Sequence, residues 1–155
     1  MKYLLDVNAL IAVGNDKHEH RQRVDFWMGS IRRRARESTW FATCAITELG
    51  FVRIATTKTC ARFAGDIETA RMLLRRTKLE WPFVFLGDEL GAEALPAWVT
   101  KSKQTTDGHL LELARSHQAQ LATLDTGIPG ALLIPELPNS GWRVEEPAAH
   151  YGAAA

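Results

Sequence analysis

Cysteine is scarce. Cys44 and Cys60 are the only two in 155 residues, and they form neither a C-x-x-C pair nor a His/Cys spacing suited to zinc. That excludes a disulfide framework and a structural zinc site, and both thiols read as buried or inert in a reducing cytosol. Long apolar runs are missing too. The N-terminal stretch MKYLLDVNALIAV is interrupted by Asp6 and Asn8 and has no small-residue cleavage pattern, so it reads as a strand passing into a helix. Nothing approaches the apolar length that spans a bilayer, which gives a cytoplasmic expectation with no membrane partner. Charge of one sign is not in excess: 19 Lys and Arg stand against 18 Asp and Glu, for a formal net charge of +1. No gross basic signal therefore announces nucleic acid. The balance can still hide asymmetry, because acids gathered into one pocket leave the remaining surface more basic than the sum. Internal repeats are absent, and the alanine-rich end is the only biased tract.

What remains is a chain with 46% hydrophobic residues. At this length that builds one core and is short for two. The expected organisation is a single domain over residues 1–146 and a flexible tail over 147–155. Continuous apolar runs predict buried strands at 2–7, 39–43, 81–86 and 121–124, with shorter ones at 132–134 and 142–144. Between them lie helical patterns. Val24, Trp27, Met28, Ile31 and Ala35 follow an i, i+3, i+4, i+7 stripe over 18–36, and Ile46, Leu49 and Val52 share a face of the next helix. Asp66 is a good N-cap for a helix bearing Ile67, Ala70 and Leu74. A further helical stretch is expected from 88 to about 99. Thr43 is the expected cap of the helix at 45, and Thr105 or Thr106 of the strongly periodic helix DGHLLELARSHQ.

Strands alternating with helices imply right-handed βαβ units on a parallel sheet, and ligands of such sheets bind beyond the carboxyl ends of the strands. Four acids fall on that edge. Asp6 and Asp125 close strands, while Glu48 and Asp107 sit early in helices. Capping or turn chemistry accounts for any one of them. If the fold brings all four together, the cluster repels itself and needs a cation or retained protons. An oxygen-only donor set without Cys or His selects Mg²⁺ or Mn²⁺.

The segments LLDVNALIAV, AITELGFVRI, TTDGHLLELA and LATLDTG closely resemble the PIN-domain ribonucleases and, within them, the VapC toxins of bacterial toxin–antitoxin systems. The resemblance covers nearly the whole chain and keeps the order and spacing of all four acidic motifs. It implies a PIN-like α/β/α sandwich with a central parallel sheet of four to five short strands covered by helices. It also implies a Mg²⁺- or Mn²⁺-dependent endoribonuclease that leaves a 5′-phosphate and a 3′-hydroxyl. Asp6 and Asp107 are then the most direct metal ligands, Asp125 completes the shell, and Glu48 holds a second metal or its waters. Asn8, Thr106 and Thr123 match supporting polar positions, each with a turn or capping role as the alternative. His109 fits the motif but reads as a packing or capping residue, and Asp88 and Glu89 stay outside the core site.

Arg53, Lys101 and Lys103 are candidates for RNA phosphates. The run Arg32 to Arg36 is equally a solvated basic face or a partner surface. His18 and His20 read as surface residues. The implied partners are RNA, a second copy of the chain, and a small VapB-like antitoxin that blocks the pocket, in a toxin–antitoxin hetero-oligomer. Trp27, Met28 and Ile31 would suit its groove or else pack in the core. Two other readings exist: a PIN nuclease of RNA maturation, and a receiver-like Mg²⁺-binding signalling domain. The second wants paired acids after the first strand and a late lysine, and the chain has DVN there and no lysine beyond Lys103.

Overall fold

The computed structural model describes residues 1–34, 40–57, 65–81 and 83–138. Five parallel strands form its sheet: β1 (Lys2–Leu5), β2 (Trp40–Cys44), β3 (Phe83–Leu86), β4 (Gln120–Thr123) and β5 (Leu132–Leu133). Their spatial order is β3-β2-β1-β4-β5. The chain steps outward from β1 through β2 to β3, then returns to the other side of β1 for β4. Where the order reverses, between β1 and β4, the connections leave in opposite directions and open a crevice at the carboxyl ends of the strands.

Both faces of β1, β2 and β4 are covered, which explains why these strands read as unbroken apolar runs. Tyr3, Leu5 and Phe41 face one layer of four helices: α1 (Val7–Gly14), α2 (Arg21–Arg34), α3 (Ala45–Ala55) and α4 (Ile67–Glu80). Leu4, Ala42, Cys44 and Leu121 face the other, where α5 (Thr105–Ser116) contributes Leu110, Leu111, Leu113 and Ala114. The α/β/α sandwich with a parallel sheet is the architecture the sequence implied.

The helix stripe of α2 is core. Trp27 meets the Tyr3 ring edge-on at 5.3 Å and the Phe41 ring at 5.8 Å, while Met28 is fully enclosed and Ile31 packs against the same cluster. These side chains are therefore not an open groove for a partner. Cys44 is a buried free thiol. Arg32, Arg33 and Arg34 are exposed in the last turn of α2, where they complement the helix dipole.

Several local expectations shift. The buried face of α3 is Thr47, Gly50, Phe51 and Ala55, whereas Leu49 is 70% exposed. The reason is an interlock with α1. A Cβ on Gly50 would meet a Val7 methyl at 2.7 Å, and one on Gly14 would meet the Phe51 ring at 2.5 Å, so each glycine admits the other helix's side chain. Strand β2 runs directly into α3, so Cys44 and not Thr43 occupies the N-cap. Asp66 does cap α4, accepting from the Thr69 N–H at 2.8 Å. That helix continues past Arg76 to Glu80, and Trp81 is its C-cap. The helix expected over 88–99 is only a 3-10 turn at Ala92–Ala94. Pro96 and Val99 lie instead against Gly108 of α5. Helix α5 opens at Thr105 from Gln104, whose side-chain oxygen accepts from the Thr100 and Lys101 N–H groups, so neither threonine is its cap. Residues 35–39, Cys60, Pro82, the expected strand at 142–144 and the tail over 147–155 lie outside the described residues. Among the described residues no helix is long and apolar enough to cross a membrane.

Candidate active site

The crevice between β1 and β4 carries Asp6 on one side and Asp125 on the other. Strand β1 ends at Leu5, and the Asp6 N–H continues the ladder to the Ala122 carbonyl at 2.9 Å. Its side chain then turns back as the N-cap of α1, with Oδ1 accepting from the Val7 N–H at 2.6 Å. Oδ2 accepts from the Thr123 hydroxyl at 2.9 Å, across 117 residues of chain. The same hydroxyl accepts the Asp125 N–H at 3.0 Å, and Asp125 Oδ1 accepts from Gly127 N–H at 2.7 Å. Thr123, fully buried at the end of β4, thus ties Asp6 to the turn that carries Asp125.

Asp6 is 4% exposed. Burial lifts its carboxyl above the ordinary range, the bonds from Thr123 and Val7 pull the other way, and the charge of Asp125 adds to the rise. Asp107, in the first turn of α5, is lifted by burial and then by the charges of Asp6 and Asp125. The three aspartates therefore form one electrostatically coupled cluster, assembled from three separate elements.

Glu48 stands apart. It lies in the first turn of α3, where its Oε1 accepts from the Thr43 hydroxyl at 2.6 Å and pairs with Lys78 of α4. The Lys78 ammonium also lies 5.7 Å from the centre of the Phe85 ring. Two of the three supporting positions, Asn8 and Thr106, are exposed, and Thr123 is the one with bonds to the acids. Lys101 and Lys103 are exposed in the turn that precedes α5. Arg53 falls in the last turn of α3, five residues past Glu48, or about 7–8 Å further along at the usual rise per residue. His109 bonds Asp88 at 2.6 Å. Partial burial works against ionising Asp88, but the His109 bond and the Leu90 N–H hold its carboxyl below the usual range.

Two features carried no signal in the sequence. Lys78 is 30 residues from Glu48, and no local spacing predicts the pair. His18 and His20 line a polar cavity of about 380 Å³ beside Asp125, together with Asn8 and Glu19. Burial, then the neighbouring His20, holds the His18 ring below its usual pKa despite Glu19.

A different surface is apolar. Leu49, Ile67, Leu79 and Phe85 edge a groove of about 850 Å³ between α3, α4 and β3, with Glu48 and Lys78 at its wall. All four are more than half exposed.

No family model matches the chain. Curated relatives do. The chain is 36% identical over 127 residues to Ribonuclease VapC38 of Mycobacterium tuberculosis, covering 81% of this chain and 86% of that protein. It is 36% identical over 143 residues to Ribonuclease VapC29 of the same species, covering 87% and 98%. With Ribonuclease VapC44, also from that species, identity is 32% over 84% and 94%. Among solved structures, VapBC2 from Rickettsia felis bound to a DNA fragment from its promoter aligns with a TM-score of 0.52 at 12% identity, covering 85% of this chain and 96% of that one. That likeness is one of fold.

Proposed function

Because the chain belongs to the VapC family of ribonucleases, we propose that it is a divalent-metal-dependent endoribonuclease, the toxin of a VapBC-type toxin–antitoxin system. The observation that carries the chemistry is the placement of Asp6, Asp107 and Asp125 by three separate elements at the switch point of the sheet, where the charge of Asp125 bears on both Asp6 and Asp107.

The donor set suits Mg²⁺ or Mn²⁺: every candidate ligand is a carboxylate oxygen. Among the described residues no three His, Cys, Asp or Glu side chains already converge to hold a metal ion, so the fit is one of donor chemistry and charge, not of a closed shell. Asp6, Asp107 and Asp125 are the residues that would hold it. Such an ion supplies a water of lowered pKa and stabilises charge developing on the phosphate. The chain's own work is positioning. Thr123 fixes the Asp6 carboxylate and the Asp125 turn, α1 fixes Asp6 through its capping bond, and α5 presents Asp107 from its first turn. Lys101 and Lys103, just ahead of Asp107, are the candidates to hold substrate phosphates, with Arg53 in the last turn of α3 as a third.

Lys78 gives Glu48 an internal counter-ion. In a Lys78→Met variant Glu48 keeps only its Thr43 bond, and its released charge adds to the field of the pocket. The apparent affinity for Mg²⁺, read by calorimetry and by the concentration giving half-maximal cleavage, should tighten about two- to fivefold, as for a partly exposed ion pair. Unchanged or weaker binding counts against Glu48 having any part in holding metal.

For partners, the apolar groove edged by Leu49, Ile67, Leu79 and Phe85 offers a covering surface to a VapB-like antitoxin or to a second copy of the chain. The site of action is the cytoplasm. The test of the function is incubation of the purified chain with structured RNAs in Mg²⁺ or Mn²⁺, followed by chelation. Cleavage that persists in chelator overturns the mechanism, and bacterial growth that is unaffected by expression of the chain alone overturns the toxin role.

A further inference from the structure

The cavity beside Asp125 has features that metal-assisted hydrolysis does not require. At about 380 Å³ it falls at the lower end of the roughly 300–1,000 Å³ of small-ligand clefts. The connection from α1 to α2 supplies His18, Glu19 and His20, the residues after β4 supply Leu124 and Asp125, and Asn8 closes it from the first turn of α1. The two imidazole rings lie 5.7 Å apart at 52°. The His20 N–H donates to His18 Nδ1 at 3.1 Å, which leaves the proton of the neutral His18 ring on Nε2.

Charge decides what such a cavity takes. Glu19 and Asp125 both line it. A phosphate placed there meets two carboxylates, whereas an uncharged planar base meets ring faces, an amide and hydrogen-bond acceptors. Unpaired bases are read in this way, by stacking on aromatic side chains and by hydrogen bonds along the Watson–Crick edge. Asn8 is exposed, so its amide is open to a base edge. The Glu19 carboxylate accepts two adjacent N–H groups, and guanine is the base whose Watson–Crick edge offers two side by side.

We propose that this cavity is a nucleobase subsite, seating an unpaired base next to the phosphate at Asp125, with His18 as its stacking face and Glu19 favouring guanine. The proposal rests on the ribonuclease reading and adds to it a source of sequence preference.

Binding tests it directly. The full chain carrying Asp107→Asn is titrated in Mg²⁺ into fluorescein-labelled uridine hexamers that have one central G or one central A, and anisotropy gives the affinities. The G hexamer should bind about five- to tenfold more tightly than the A hexamer, and Glu19→Gln should bring the two to within about twofold. His18→Ala should weaken both by a similar factor. His18→Phe keeps a stacking face but lacks the Nδ1 acceptor, and it should restore the loss. Equal affinity for G and A, or a G preference that survives Glu19→Gln, overturns the base-reading role. Phenylalanine as weak as alanine at 18 overturns the stacking role. Failure of the ribonuclease reading shows separately, as no cleavage of RNA by the wild type in Mg²⁺ or Mn²⁺, and leaves the affinity ratio intact as a measurement.

Discussion

An Asp6→Asn variant is expected to cleave RNA about 10²–10³-fold more slowly than the wild type, the scale of losing several kcal/mol of metal-assisted stabilisation, and yet to melt at a higher temperature in chelator. The two effects share one cause. Asp6 is 4% exposed, and its carboxylate is disfavoured first by burial and then by Asp125, against the pull of two hydrogen bonds. Its folded pKa lies above the ordinary 3.8. From about pH 4 up to that raised value, the folded chain keeps a proton that the unfolded chain has released, so stability falls as pH rises through this window. Above that raised value the whole penalty is present. Asparagine removes it while preserving shape: its Oδ1 can accept the Val7 N–H, and its amide can donate to Thr123. The melting-temperature advantage of the variant should therefore be largest near neutrality and shrink in acid. Added Mg²⁺ should stabilise the wild type more than the variant. A variant that is less stable at pH 7 in chelator, or as active as wild type, contradicts this account of Asp6.

A Thr123→Val variant should lose both stability and activity. The hydroxyl donates to Asp6 Oδ2 and accepts from the Asp125 N–H, and valine keeps the volume but neither bond. Thr123 is 0% exposed, so no water replaces them. Leaving buried polar partners unmatched costs about 1–3 kcal/mol, which for a chain of this size is roughly 2–10 °C in melting temperature. Groups that orient metal ligands typically contribute about 10–100-fold, and cleavage should fall by that factor. Thr123→Ser, which retains the hydroxyl, should recover most of the activity. If valine is as active as serine, the shared bond is not what aligns the two acids.

The parts of the fold that were legible in the sequence are those governed by one local rule. Tyr3, Leu4 and Leu5 in succession mark a strand buried on both faces, and Asp6 and Asp125 follow such runs closely enough to fall at the same edge of the sheet. The stripe of α5 was equally plain, because Leu110, Leu111, Leu113 and Ala114 leave no other face to bury. What depended on partners elsewhere in the chain was not legible. Leu49 looks like core until Phe51, admitted by Gly14, takes the buried place on α3. Thr43 looks like a cap, but with β2 abutting α3 it sits one residue early and reaches Glu48 instead. The pairing of Glu48 with Lys78 was equally hidden, because the lysine comes from another helix. His18 and His20 had no spacing to recommend them, and only the return of β4 beside β1 brings them to the cavity of Asp125.

The order of the sheet also fixes a timetable. Asp6 leaves the ribosome 117 residues ahead of Thr123, whose hydroxyl holds it, and β1 gains its β4 neighbour only through residues 120–122. At about 5–20 residues per second, some 6–23 seconds of synthesis separate the first acid from its clasp. During that interval the nascent chain can pair β1 with β2 and β2 with β3, but Asp6 has no Thr123 hydroxyl to hold it. A chain that stalls before residue 123 therefore has β1 and Asp6 in place but nothing to clasp them.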